Sequence, residues 1–179
     1  MSISINPSNT NLMQASKFLL SFTRLPYVTY FCTKCNLPGL SAGQAVQQNP
    51  FIDAPVPGDK MVYDPLEIEF LIDEPLWSWT TISDWIKGYT FPEDFDQYKN
   101  LSLQQQLILR NQTTTPQYSD AMLTVLTNKN NPVVVAQFKD VFPISLSSIN
   151  FDTSISAQTV ITAKASFKFT NFDISRPSV

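Results

Sequence analysis

Eight residues, Leu66-Glu67-Ile68-Glu69-Phe70-Leu71-Ile72-Asp73, constrain this chain more than any other stretch. Side chains alternate along a strand, so Leu66, Ile68, Phe70 and Ile72 share one face. Glu67, Glu69 and Asp73 share the other, with Leu71 the one apolar exception. A helix is expected directly afterwards. Trp77, Thr81, Ile82, Trp85, Ile86 and Tyr89 recur at the spacing of one broad apolar helix face. Pro75 suits a first helical turn, where a missing N–H costs nothing. Gly88 suits the left-handed residue that ends a helix. The expected core is Phe70 and Ile72 from the strand, Trp77, Ile82 and Trp85 from the helix, and Phe167 and Phe169 from the last strand.

The rest of the chain reads as β-rich. Lys17 to Leu25 and Tyr27 to Cys32 have the aromatic and β-branched content of strands, with Pro26 breaking the ladder between them. Asn36-Leu37-Pro38-Gly39 signals a turn, and Ser41 to Asn49 an exposed edge strand. Pro50, Pro55 and Pro57 stiffen the next segment, read as a loop with a Pro-Gly-Asp turn at 57–59. FPEDFDQYKN reads as loop, LSLQQQLILRNQ as a short helix or a strand, and TTTPQ as a connector. Ala121 to Thr127 and Val133 to Lys139 flank a hairpin turn at 128–132. Val141 to Ser148 is a further extended segment. Ile155 to Phe169 alternates over a run longer than the roughly 5–6 residues of an ordinary strand, so part of it is expected to project or to pair with another subunit. Residues 1–16 form an N-terminal arm with no apolar period, and 17–179 a single domain. With 4 Gly against 13 Pro, connections are expected to be stiff.

Composition narrows the function. Charged residues make up 15%, against about 25% in a typical domain. Either much of the surface is covered by other subunits or it is simply rich in neutral polar residues. A net charge of −3 predicts no general attraction to nucleic acid or an anionic membrane. No apolar run approaches the roughly 20 residues needed to span a bilayer, and the N-terminal residues lack the pattern of a signal peptide. A cytoplasmic origin is expected.

Catalytic chemistry is poorly provided for. The chain has no His, the commonest general base and metal ligand. No nucleophile elbow, phosphate loop or zinc-protease motif occurs. Cys32 and Cys35 cannot complete a four-ligand zinc site alone, and they close a strand rather than open a helix, so they read as reduced packing residues. Glu67 and Glu69 share a strand face, but nothing nearby in sequence would hold one of them neutral. The cluster Glu93-Asp94-Asp96 lacks the glycine and spacing of a calcium loop. Trp77 and Trp85 read as core, while Trp79 lies off that face and reads as an interface residue. No enzyme activity, cofactor or metal is expected.

The order of motifs is distinctive. FCTKCNLPGL at 31–40 leads to a polar strand, then to NPFIDAPVPGDK at 49–60 and YDPLEIEFLIDE at 63–74. A helix with Ile82, Trp85, Ile86 and Gly88 follows. Residues 17–91 in this order resemble the tail tube proteins of contractile-tailed bacteriophages, and 118–174 match them in strand pattern. The resemblance implies an antiparallel β-sandwich or split barrel with one flanking α-helix. It also implies a virion structural protein, made in the host cytoplasm, whose hexameric rings stack into a hollow tube. Sheath, baseplate or neck proteins would be its partners, and DNA a non-specific cargo. A tube initiator or head–tail or baseplate adaptor ring has the same fold. A monomeric carbohydrate-binding β-sandwich, with Trp79 and Tyr89 as platform, is the alternative of another class. The Pro-rich segment is expected at a subunit interface through Phe51, Ile52, Asp53, Pro55, Pro57, Asp59 and Lys60. Glu67, Glu69, Lys164 and Lys168 are expected to face the lumen.

Overall fold

The computed structural model describes residues 12–92, 94–108, 117–152, 154 and 160–176. Most of the N-terminal arm, the connector 113–116 and the start of the expected long strand at 155–159 lie outside the described residues. In chain order the elements are β1 (Phe18–Phe22), α1 (Pro26–Phe31), β2 (Cys32–Cys35), β3 (Leu40–Gln47), β4 (Ala54–Tyr63) and β5 (Leu66–Leu71). They continue with α2 (Trp77–Thr90), α3 (Asp96–Ile108), β6 (Ser119–Leu126), β7 (Pro132–Leu146), β8 (Thr162–Lys168) and β9 (Asn171–Ser175).

All the strand pairs are antiparallel. The strands β1, β6, β7, β8, β5 and β2 lie side by side in that order, with β9 also on β7. The long β7 joins two layers. Residues 132–138 and Val141 pair with β6 and 135–139 with β9, whereas 142–146 pair with β8. Between these halves Asp140 takes a left-handed backbone, φ 56°, a conformation that Asp tolerates better than most residues. The two extended segments read at 133–139 and 141–148 are therefore one strand bent at Asp140. The described part of the last long run is shorter than expected. Strand β8 spans seven residues and pairs with β5 and β7 inside the subunit, so this part does not project.

The core follows the alternation of β5. Leu66, Ile68 and Phe70 are buried, and Ala163, Ala165 and Phe167 of β8 continue the same face. Helix α2 covers it. Ile82 and Trp85 are buried, and Trp85 stands 6.2 Å from the Phe167 ring, which in turn lies 5.1 Å from Phe22. Phe138, Phe169, Phe172 and Tyr63 form a second aromatic group toward the other layer. Ile72 packs half-buried against this core.

Trp77 is 58% exposed, while Trp79 is half-buried and donates its indole N–H to the Ser147 carbonyl at 3.1 Å. The buried line of α2 runs through Ser78, Ile82, Trp85 and Gly88. It begins on a serine, so the apolar pattern misplaces the first turn of the face by one residue, about 100° around the helix. Gly88 does not end the helix. No glycine has positive φ, and the left-handed cap is Phe91, φ 44°. Gly88 instead lets α3 approach: a Cβ there would lie 3.0 Å from the Leu101 side chain. Residues 96–108, read in part as loop, form α3, which packs on α2. Tyr27 to Phe31, read as strand, is the helix α1. Pro26 occupies its first turn, where proline is at home. Thr29 Oγ1 accepts the Phe22 N–H and donates to the Leu25 carbonyl, both at 3.0 Å.

The start of α2 is held by Asp73. Its carboxylate accepts the N–H groups of Trp77 at 3.0 Å and Ser78 at 2.9 Å, and also the Ser78 hydroxyl. These N–H groups would otherwise lack partners in the first helical turn. Asp73→Ala is expected to cost about 1–2 kcal/mol, the usual worth of such a cap. Burial disfavours the Asp73 carboxylate, but the hydrogen bonds from Ser78 outweigh it and hold its pKa below the ordinary value. A depressed native pKa means the contribution is complete above the usual aspartate range and lost as pH falls through the native value. Urea melts of both proteins at neutral and strongly acidic pH check this: the gap should close in acid. An equal gap at both would refute the carboxylate cap.

Candidate assembly surfaces

Strands β3 and β4 form a two-stranded sheet of their own. Every residue of β3 is exposed, and β4 is exposed at all but three positions. The ribbon prolongs the β2–β5 pair. Cys35 faces Ile68 and Leu40 faces Tyr63, five residues on along one strand and five back along the other. The join is bonded at both ends, by Asn36 N–H to the Glu67 carbonyl at 3.2 Å and by Asp64 N–H to the Gly39 carbonyl at 3.0 Å. The Pro-rich loop expected at 50–60 is thus largely strand. Its Pro57-Gly58-Asp59 turn signal is absorbed as a bulge, where the register shifts between Ala42 and Gln44. Gly58 is required there, because a Cβ would meet the Gly43 carbonyl at 2.6 Å. Of the expected interface residues, Phe51 and Ile52 sit at the ribbon's tip, 98% and 75% exposed. Asp53 precedes β4, and Pro55, Pro57, Asp59 and Lys60 lie along it.

The outward face of β2, β5 and β8 is charged. Lys34 Nζ donates to Glu69 Oε2 at 3.0 Å, and Lys164 is the cross-strand neighbour of Glu69. The hydrogen bond from Lys34 lowers the Glu69 pKa, with Lys164 adding to the effect. Glu67 is exposed and faces Ser166. Lys34, Asn36, Glu67, Glu69, Lys164 and Ser166 line a shallow depression of about 320 Å³. Lys168 stands apart from the glutamates, donating to the Tyr63 carbonyl at 2.9 Å. Lys34 was missed in the sequence, because only the β2–β5 register brings it to Glu69.

Other features offer little chemistry. Cys32 and Cys35 are free and half-buried. Burial pushes their thiols up to about 11 and about 12, so both stay protonated and unreactive near neutral pH. Among the described residues no three His, Cys, Asp or Glu side chains are placed to hold a metal ion. The carbohydrate platform of the alternative reading does not form: Trp79 and Tyr89 pack half-buried against the core, and the Tyr89 hydroxyl donates to the Pro143 carbonyl at 2.6 Å. No described helix is long and apolar enough to cross a membrane.

Comparison with known proteins bears on these surfaces. The family model for phage tail tube proteins matches residues 2–175. No curated protein sequence matches the chain. Among solved structures, a chain of the 6-fold symmetrised anti-feeding prophage baseplate is similar with a TM-score of 0.60 and 11% identity, covering 96% of this chain and 100% of that one. A chain of the anti-feeding prophage tube-terminating cap is similar at 0.60 and 12%, covering 98% and 99%. A chain of the sheath–tube complex of an extracellular contractile injection system (PVC) in its extended state follows at 0.58 and 10%, covering 93% of each. At such identities these likenesses establish the fold.

Proposed function

The chain belongs to the phage tail tube protein family, and from that premise we propose that it builds hexameric rings that stack into the tube through which DNA leaves the virion. The exposed β3–β4 ribbon is the observation that carries this reading. An isolated two-stranded ribbon is at best marginal in water, and open strand edges invite pairing with other chains. A closed ring covers such edges. The 6-fold symmetry of the baseplate that contains a similar chain supports a hexamer.

In this reading the ribbon contacts neighbouring subunits through Phe51, Ile52 and the β4 residues. The face bearing Glu67, Glu69, Lys164 and Lys168 lines the lumen. The two glutamates and two lysines cancel, and Lys34, ion-paired with Glu69, leaves only a single positive charge per subunit, so the wall stays close to neutral and neither captures phosphates nor repels them strongly. Sheath, baseplate or neck proteins are the outer partners, and the role is structural rather than catalytic. Because a cap and a baseplate chain share the fold at the same TM-score, an initiator or adaptor ring is the second reading.

Light scattering on concentrated protein tests the proposal. A mass near six times the 20.2 kDa chain, or a higher multiple of six, is expected. A single-chain mass at every concentration overturns it. Negative-stain images separate the readings: long tubes identify the repeating subunit, and rings that never lengthen identify the adaptor.

A further inference from the structure

The two edges of the β3–β4 ribbon are chemically unequal. Asp64 donates its N–H to the Gly39 carbonyl, so the next pair, Leu40 and Tyr63, is a non-bonded pair whose N–H and C=O groups turn away from the partner strand. Alternation along β3 then sends the backbone groups of Leu40, Ala42, Gln44 and Val46 outward. The bulge does not disturb this, because β3 has only Gly43 between Ala42 and Gln44, whereas β4 has three residues between Met61 and Pro57. A second observation gives the same parity. Gln44 and Val46 face Pro57 and Pro55, which have no N–H to give β3. The β3 edge therefore presents an unbroken row of donors and acceptors. The β4 edge lacks its donors at Pro55 and Pro57.

We infer that β3 is the edge that accepts a strand from a second copy of this chain, and that β4 is not. A row of alternating N–H and C=O groups is matched only by another strand edge. Among the described residues this chain carries three such edges on its own body, since β1, β2 and β9 each pair on one side only. The β3 edge also continues that of β2, so an added strand would lie along the rim of the body sheet. Leu40, Ala42 and Val46 share a ribbon face with Met61, Pro55 and Pro57. An added strand would thus widen an apolar face that the subunit leaves uncovered. The inference rests on the ring reading above.

Proline substitution in the full chain tests it. Gln44→Pro and Val46→Pro each remove one outward N–H of β3 without touching its bonds to β4. Met61→Pro removes an outward N–H of β4 opposite Ala42. The expected result is at least a hundredfold weaker assembly by light scattering for the two β3 variants, with unchanged thermal melts, and wild-type assembly for Met61→Pro. Rings from both β3 variants, or loss of rings in a folded Met61→Pro alone, overturn the edge assignment while the ring reading stands. A wild-type protein that stays a single chain overturns the ring reading and this inference with it. Amide hydrogen exchange on wild-type protein decides the matter should a variant fail to fold. The amides of Leu40, Ala42, Gln44 and Val46 should slow on assembly, and exchange at the free-subunit rate would overturn the inference.

Discussion

Trp85→Ala is expected to lower the unfolding free energy by about 3–5 kcal/mol, the usual cost of deleting a large buried aromatic side chain. Trp85 is 1% exposed and joins three parts of the subunit at once. Its ring meets Phe167 of β8, its indole N–H donates to the Gln117 carbonyl at 3.0 Å, and Arg24 lies over its face at 4.9 Å. Truncation leaves a cavity between helix and sheet and takes the donor from Gln117. It also removes the aromatic face beneath a guanidinium whose pKa burial has already lowered to about 10. Each loss acts in the same direction, and the surrounding strands are paired too fully to collapse into the space. For a chain of this size such a loss corresponds to a melting temperature lower by about 6–20 °C. A melt within a degree or two of wild type would show that the helix does not rest on this residue.

What the sequence disclosed, and what it hid, follows from how local each signal is. The strand at β5 and the helix at α2 are legible because their side-chain periods are set by one buried face each. The class of fold and the hairpin at 128–132 follow from the same kind of signal. Residues 27–31 mislead because Tyr, Val and Thr favour strands, while Pro26 and the Thr29 hydroxyl, bonded back to β1, fix a helix through a tertiary contact. Helix α3 escapes because its apolar stripe is weak, and its anchor Leu101 reaches the core over Gly88 of α2, a contact that only the tertiary structure reveals. Pro57-Gly58-Asp59 has turn chemistry, and the chain does depart from a regular ladder there, but as a bulge within a strand. The exposed tip at Phe51 and Ile52 was legible as an apolar pair in a proline-stiffened segment. The pairing of Lys34 with Glu69 was not, because it depends on a register between strands more than thirty residues apart.

Replacing Phe51 and Ile52 together by serine is expected to abolish tube formation while leaving the subunit's stability unchanged. Neither side chain contributes to the core, since both stand exposed at the ribbon tip. Surface substitutions of this kind usually alter stability by no more than about 0.5 kcal/mol. Their exposure also makes them costly to leave in water. Burying a large apolar side chain is worth roughly 1.5–3 kcal/mol, so at the proposed subunit contact two of them would supply about 3–6 kcal/mol. Losing that amount weakens each contact by about a hundredfold to ten-thousandfold. Prolines flank the pair at positions 50 and 55, so little chain entropy offsets the gain on docking. The proposed ring would repeat the contact in every subunit, which turns a graded loss per contact into an all-or-none loss of the assembly. Negative-stain counts of tubes, beside thermal melts of the same preparations, check both halves of the expectation. Full-length tubes from the double variant would show that the ribbon tip takes no part in assembly. A lowered melt would show that the tip packs on its own subunit instead.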